Sequence, residues 1–399
     1  MTNPPAGSWV RDARDLYLAA MAVFVVNIVI GILNGADAVE FNRDQVLTHV
    51  HAGTVGWLTL AIVASAFMLF RESDRRLMLT LAVLVPVYVL AFYTGNLAFR
   101  AISGAALLLA VAWLLIWLWR LFLASERTLP RLALLLALTT FGYGAVVGVL
   151  LQLQYALEIQ LVSGDGVGAH ASAMTFGYLV MAAMGFIEWR LLGTRGLPTL
   201  GVIQVVALFL GGLVISVGLL AGLEQAAGGI YLLTQLVAVI LFVIRIWPAS
   251  LRVSWFGTDA GRHFGAASIW VVGALVLFMY LVFSFITAEN PDDPAAFPLN
   301  VLIASDHVTY IGVITNIAVA LLAALVLARG GTAAWVRHSM FWGINLGLAV
   351  FVLGLLVDTA ELKRIGAPVM GVALLAALGI LAWAAVRSEP QEPAEIATP

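Results

Sequence analysis

The sequence predicts an all-α polytopic membrane protein, with twelve transmembrane helices in three arcs of four. Three observations predict it. Of 399 residues, 62% are hydrophobic and 11% charged, a balance that cannot cover a water-soluble surface. Apolar runs long enough to cross a hydrocarbon core of about 30 Å, which takes about 20 helical residues, recur along the whole chain. The positive charges then alternate between the connecting loops. Of 20 Lys and Arg residues, only Arg43, Arg100, Lys363 and Arg364 fall on one face, whereas the other 16, including Arg71, Arg75, Arg76, Arg120, Arg127, Arg131, Arg190, Arg195, Arg252, Arg262, Arg329 and Arg337, fall on the other. That asymmetry places both termini in the cytoplasm of a bacterial-type inner (cytoplasmic) membrane.

The spans lie at roughly 16–34, 48–70, 77–97, 101–123, 131–157, 168–190, 198–221, 227–247, 266–288, 300–328, 336–356 and 365–386. Residues 1–15, with Arg11, Asp12, Arg14 and Asp15, read as a cytoplasmic tail. The first span has no convincing small-residue cleavage site and is an uncleaved helix. The loops after the fifth and seventh spans carry Glu158, Asp165 and Glu224, and Glu289–Pro298 is an acidic, proline-rich loop before the tenth span. The domain spans 16–387, and the Pro- and Glu-containing segment 388–399 is expected to be a disordered cytoplasmic tail. The chain has no cysteine, which excludes disulfides, thiolate metal sites and cysteine-bound haem. A net charge of −2 gives no footprint for nucleic acid.

Three segments carry the candidate chemistry: Thr48-His49-Val50-His51-Ala52-Gly53, Gly168-Ala169-His170-Ala171 and Ser305-Asp306-His307-Val308. Each opens a span (the second, sixth and tenth) from the same side. Ionisable groups at membrane depth are expensive, so histidines recurring at equivalent depth are better explained by a shared ligand site than by chance. Haem iron is the natural candidate. Aligning His51, His170 and His307 gives separations of 119 and 137 residues and suggests a triplication. Local similarity is limited to small residues after the histidine and to Gly56 and Gly312, each five residues on.

At about 100° per residue, His49 and His51 point roughly 200° apart, so one helix addresses two neighbouring spaces. Gly53 and Gly56 keep the adjacent surface thin, which suits close helix packing or the approach of a flat macrocycle. Asp306, Thr309, Tyr310 and Asn316 give the tenth span a polar patch around His307, and Ser172, Thr175 and Tyr178 accompany His170. His263 and His338 stand among Arg252, Arg262, Arg329 and Arg337 and read as solvated interface residues.

Taken together, twelve spans and histidines at the outer ends of the second, sixth and tenth resemble subunit I of the haem-copper oxidase superfamily, which includes cytochrome oxidases and nitric oxide reductases. The resemblance covers the transmembrane layout, with local similarity confined to the histidine helices. It implies His51 (or His49) and His307 as axial ligands of a low-spin haem b between the second and tenth helices, and His170 at a copper-ligand position. A second haem or metal on His49 and His170 is left open. The sequence departs from the family at the seventh span, Pro198–Ala221, which has no histidine, and at the tenth, which has one. A copper held by His170 with Met174 or Tyr178 alone would be weak, so copper is not expected.

The expected role is electron transfer or small-gas (NO or O2) redox chemistry by an oxidoreductase-type protein. Its expected partners are the bilayer and an electron-donor protein or quinol; further subunits or self-association stay open. Two rivals remain: a haem-based gas sensor without turnover, and a secondary transporter of the twelve-span type. The Arg71–Arg76 loop resembles that of major-facilitator carriers, although those divide in halves and the histidines here divide the chain in thirds. The topology is checked by single-cysteine labelling in intact cells: a membrane-impermeant reagent is expected to reach position 158 and to miss positions 127 and 195.

Overall fold

A computed structural model describes residues 7–193, 195–287, 298–327 and 333–387. Twelve of its helices are long and apolar enough to cross a membrane: α1 (Ser8–Gly35), α2 (Arg43–Phe70), α3 (Arg75–Tyr93), α4 (Leu97–Ala124), α5 (Leu129–Leu157), α6 (Gly166–Leu192), α7 (Thr199–Ala221), α8 (Glu224–Leu251), α9 (Gly261–Ile286), α10 (Leu299–Val326), α11 (Ala334–Leu356) and α12 (Ala360–Arg387). No strand occurs among the described residues. The segment 388–399 and nearly all of the acidic loop before α10 lie outside them.

Local chemistry sets the starts. Asn42 and Gln45 form a reciprocal capping box at α2, Asp74 accepts from the Arg76 and Leu77 amides at α3, and Asp165 accepts from the Gly168 amide at α6. Each satisfies amides that the first turn leaves without a helical partner. At the other end, Arg71 and Glu158 close α2 and α5 in the left-handed region, with φ of 55° and 56°.

The start of α1 differs from the sequence expectation. The helix begins at Ser8 and takes in the polar stretch expected as a tail. Asp12 is buried, and its two carboxylate oxygens accept from Arg75 Nη1 and Ser73 Oγ, both at 2.7 Å. Asp15 accepts from the same Arg75 nitrogen at 2.8 Å. Pairing two carboxylates with one guanidinium offsets the cost of taking them out of water, so the helix continues through them.

Two compact units make up the chain. One comprises Met1–Asn96, Val253–Ala266 and Thr315–Pro399, and the other Leu97–Arg252 and Ala267–Ile314. Across both units the histidine helices are the interior ones. The central windows of α2, α6 and α10 are 83%, 78% and 83% buried, against 67% for the next, α5.

Packing also fixes a repeat register. In α2, His49 donates its ring Nδ1–H to the Asn27 carbonyl at 2.9 Å, its Cε1 lies over Gly31, and a methyl group at Gly56 would run into Val23. In α6, His170 donates to the Gly144 carbonyl at 2.9 Å, its Cε1 lies over Gly148, and a methyl group at Gly177 would run into Thr140. Shifting α2 by 121 residues and α1 by 117 superposes every one of these partners. The register therefore matches His170 with His49, and not with His51 as the sequence alignment had it.

His51 matches His307 instead. Each donates its Nδ1–H to the carbonyl four residues back, Leu47 and Ile303, at 2.8 Å. Each is followed at once by eight residues of π-helix, Ala52–Thr59 and Val308–Thr315. The α6 counterpart is a shorter π segment, Thr175–Val180, ending at the same register position, and Gly56, Gly177 and Gly312 then occupy one position in all three helices.

The glycine contacts are testable. Gly56→Ala is expected to lower stability by about 1–3 kcal/mol through overpacking against Val23. Gly229→Ala, which meets open space, is expected to leave stability unchanged or raise it by up to about 1 kcal/mol. Thermal unfolding of the detergent-purified protein, followed by helical circular dichroism, distinguishes the two.

Candidate functional site

The capping box at Asn42 starts α2 two turns before its histidines, which sets their depth. His51 is held by the Leu47 carbonyl and by its neighbours on α3: its ring stacks on Phe92 with centroids 3.7 Å apart and planes 16° apart, and Tyr88 meets it edge-on. His49 faces α1, where Asn27 grips it at two points. The Asn27 carbonyl accepts from the ring, and the Asn27 side-chain amide donates to the His49 carbonyl.

A carbonyl oxygen can only accept, so Nδ1 of His49, His51, His170 and His307 carries the proton in each case. The neutral ring then holds its lone pair at Nε2. This is the tautomer that a histidine needs for a metal, held by a main-chain carbonyl as metal-ligating histidines commonly are.

The glycines singled out with the histidines lie against α1. A methyl group at Gly53 would come 2.8 Å from the Asn27 amide nitrogen, and Gly56 backs onto Val23. In the second unit this contact recurs with the sizes exchanged, since Met174 stands in the position of Gly53 and packs over Gly144. Tyr178 is buried with its ring tilted on Phe141.

Two polar contacts tie the histidine helices together at their π segments. In the first unit Trp57 donates its indole N–H to Thr315 Oγ1 at 2.9 Å, while its ring stacks on Phe24 at 4.7 Å. In the second unit the Thr175 and Tyr310 hydroxyls lie 3.1 Å apart. Thr59 Oγ1 donates to the carbonyl five residues back, at Thr54, the reach a π turn provides. π segments are rare and frequently mark functional sites. His49 and His51 thus sit in one unit, and His170 and His307 in the other. Among the described residues no three His, Asp or Glu side chains group as ligands for a single metal ion.

Two features differ from the sequence expectation or were missed by it. His263, expected to be solvated, is 7% exposed, and its neighbour Arg262 is 1% exposed. His263 Nδ1 bonds Asn316 Oδ1 at 2.9 Å and its ring stands edge-on to Phe341, while Arg262 lies over the face of that same ring. Partners on α10 and α11 thus replace water. The second feature is an ion pair within the second unit, in which Arg245 of α8 donates to Glu188 of α6 and, at 3.2 Å, to Gln204 of α7. Its one sequence signal was that Glu188 lies inside an apolar span.

No family model and no curated protein matches the sequence.

Removing one partner of a buried ion pair leaves the other charge stranded. Glu188→Gln is therefore expected to cost about 3–5 kcal/mol, and the double variant Glu188→Gln/Arg245→Met to recover a large part of it. Thermal unfolding of the three proteins in one detergent checks the pattern.

Proposed function

We propose that this polytopic membrane protein binds haem b and that its histidine ligands are drawn from His51 and His307. One observation carries the reading: these two histidines share a single local construction, an Nδ1–H held by the carbonyl four residues back and a π segment starting at the next residue. Each residue suits such a group, because its neutral ring carries the lone pair at Nε2, where an imidazole would bind iron. When bound, haem supplies a one-electron redox centre. The Leu47 and Ile303 carbonyls keep the proton at Nδ1, and the Phe92 stack sets the ring plane of His51. His49 and His170 hold the same tautomer but spend it tying α2 to α1 and α6 to α5, so they are assigned to packing. Copper is not part of the proposal, since α7 carries no histidine. Electron transfer or small-gas chemistry, with a protein or quinol donor, follows from the resemblance to haem-copper oxidase subunit I.

A second reading, secondary transport, is favoured by the Glu188–Arg245–Gln204 network, because charges inside spans mark ion or substrate paths in transporters. The visible spectrum of the purified protein, with pyridine-haemochrome and metal analysis, separates the two. The expected result is a low-spin b-type spectrum that His51→Ala and His307→Ala each abolish or convert and that His263→Ala leaves in place. A colourless, metal-free protein overturns the haem reading and favours transport.

A further inference from the structure

Where α9 and α11 begin, the first unit forms a half-open pocket of about 160 Å³ whose polar lining is Thr258, Asp259, Arg262, His263 and Arg337, with aliphatic side chains of α10 on its apolar side. Arg262 is 1% exposed. Its Nη2 donates to the Arg337 carbonyl at 2.6 Å, its Nη1 to His338 Nδ1 at 3.0 Å, and its guanidinium lies over the Phe341 ring at 4.6 Å. Arg337 Nη1 donates to the Thr258 carbonyl at 3.3 Å. Both guanidiniums are thus held by neutral acceptors, and among the described residues neither is paired with a carboxylate. Asp259, the acid in the lining, has Oδ1 engaged by the Gly261 amide at 2.7 Å. The Nε–H groups of Arg262 and Arg337 are both buried and have no acceptor among the described residues.

Two largely buried cations against one carboxylate, with two unmet donors, call for a further anion, because a buried charge is costly unless it is paired and hydrogen-bonded. The positive ends of the α9 and α11 dipoles fall beside the same pocket and favour the same ligand. The volume equals that of about five liquid waters, room for a phosphate-sized group. We propose that this pocket is an oxyanion site, held by Arg262 and Arg337, that takes a phosphate group either as the free ion or as the head of an anionic phospholipid. It is independent of the histidines of α2, α6 and α10.

The test uses the full chain purified in a neutral detergent. Equilibrium dialysis with radiolabelled inorganic phosphate reads the free ion, and native mass spectrometry of the same preparation reads retained phospholipid. If the source is free phosphate, about one ion per chain binds saturably, sulfate competes, and Arg337→Gln and Arg262→Gln each weaken binding at least about tenfold, as expected for loss of a charge-assisted hydrogen bond. If the source is a lipid, one anionic phospholipid per chain survives purification and is lost in Arg337→Gln, and phosphate binds only after delipidation. Should Arg262→Gln fail to fold, Arg337→Gln and the wild-type measurements decide. A wild-type protein that neither binds phosphate nor retains an anionic lipid overturns the proposal, and so does binding that both variants leave unchanged.

Discussion

A hydrocarbon core offers a buried N–H or O–H no water, so each must find its partner inside the chain. The histidines of the three interior helices meet this constraint with one device, an Nδ1–H donated to a main-chain carbonyl. Burial favours the neutral ring, and that bond fixes its tautomer and sets its direction at once. The same shortage of water explains two closed polar sets in the interior: Glu188 with Arg245 and Gln204, and Asn316 with Asn345 and His263.

The constraint also shapes the helix pairs. For a ring on α2 or α6 to reach a carbonyl on the preceding helix, the two backbones must come close, which is why glycine lies under both rings, at Gly31 and Gly148. One turn further on, the contact of Gly53 with Asn27 becomes that of Met174 with Gly144. Side-chain volume has moved from one helix to the other while the spacing between them is kept, as close-packed interiors require. A repeat conserved as contacts can therefore diverge almost completely in its letters.

That divergence marks how far the sequence could be read. The spans were legible because hydropathy and loop charge are properties of whole segments, and the interior position of α2, α6 and α10 followed from their histidines. The register was not legible, because counting from the histidines pairs residues by type, whereas the structure pairs them by what they touch. Val23 and Thr140 mark it, and neither announces itself. The π segments carry no compositional signal, since Ala52–Thr59 reads as ordinary apolar helix. His263 reads as solvated because it stands at a helix end among arginines; only the tertiary partners Asn316, Phe341 and His338 reveal that it and Arg262 are buried. The start of α1 was missed for the same reason, as nothing local says that Asp12 and Asp15 share Arg75.

The corrected register gives the two histidines of α2 separate identities. In register terms Ser172 of α6 and Ser305 of α10 stand where α2 has His51 and His49, respectively. The helix-tying position thus keeps its histidine in α2 and α6, and the position that donates to its own helix keeps it in α2 and α10. A histidine kept only for solubility at a membrane interface would have no reason to retain the same acceptor in two helices and to give way to serine in the third. Retention of acceptor geometry, position by position, is what a specific task at each position produces: packing where the acceptor belongs to the neighbouring helix, and presentation of Nε2 to something else where the acceptor lies in the histidine's own turn. The proposal that His51 and His307 are haem ligands rests on this division of roles rather than on the number of histidines.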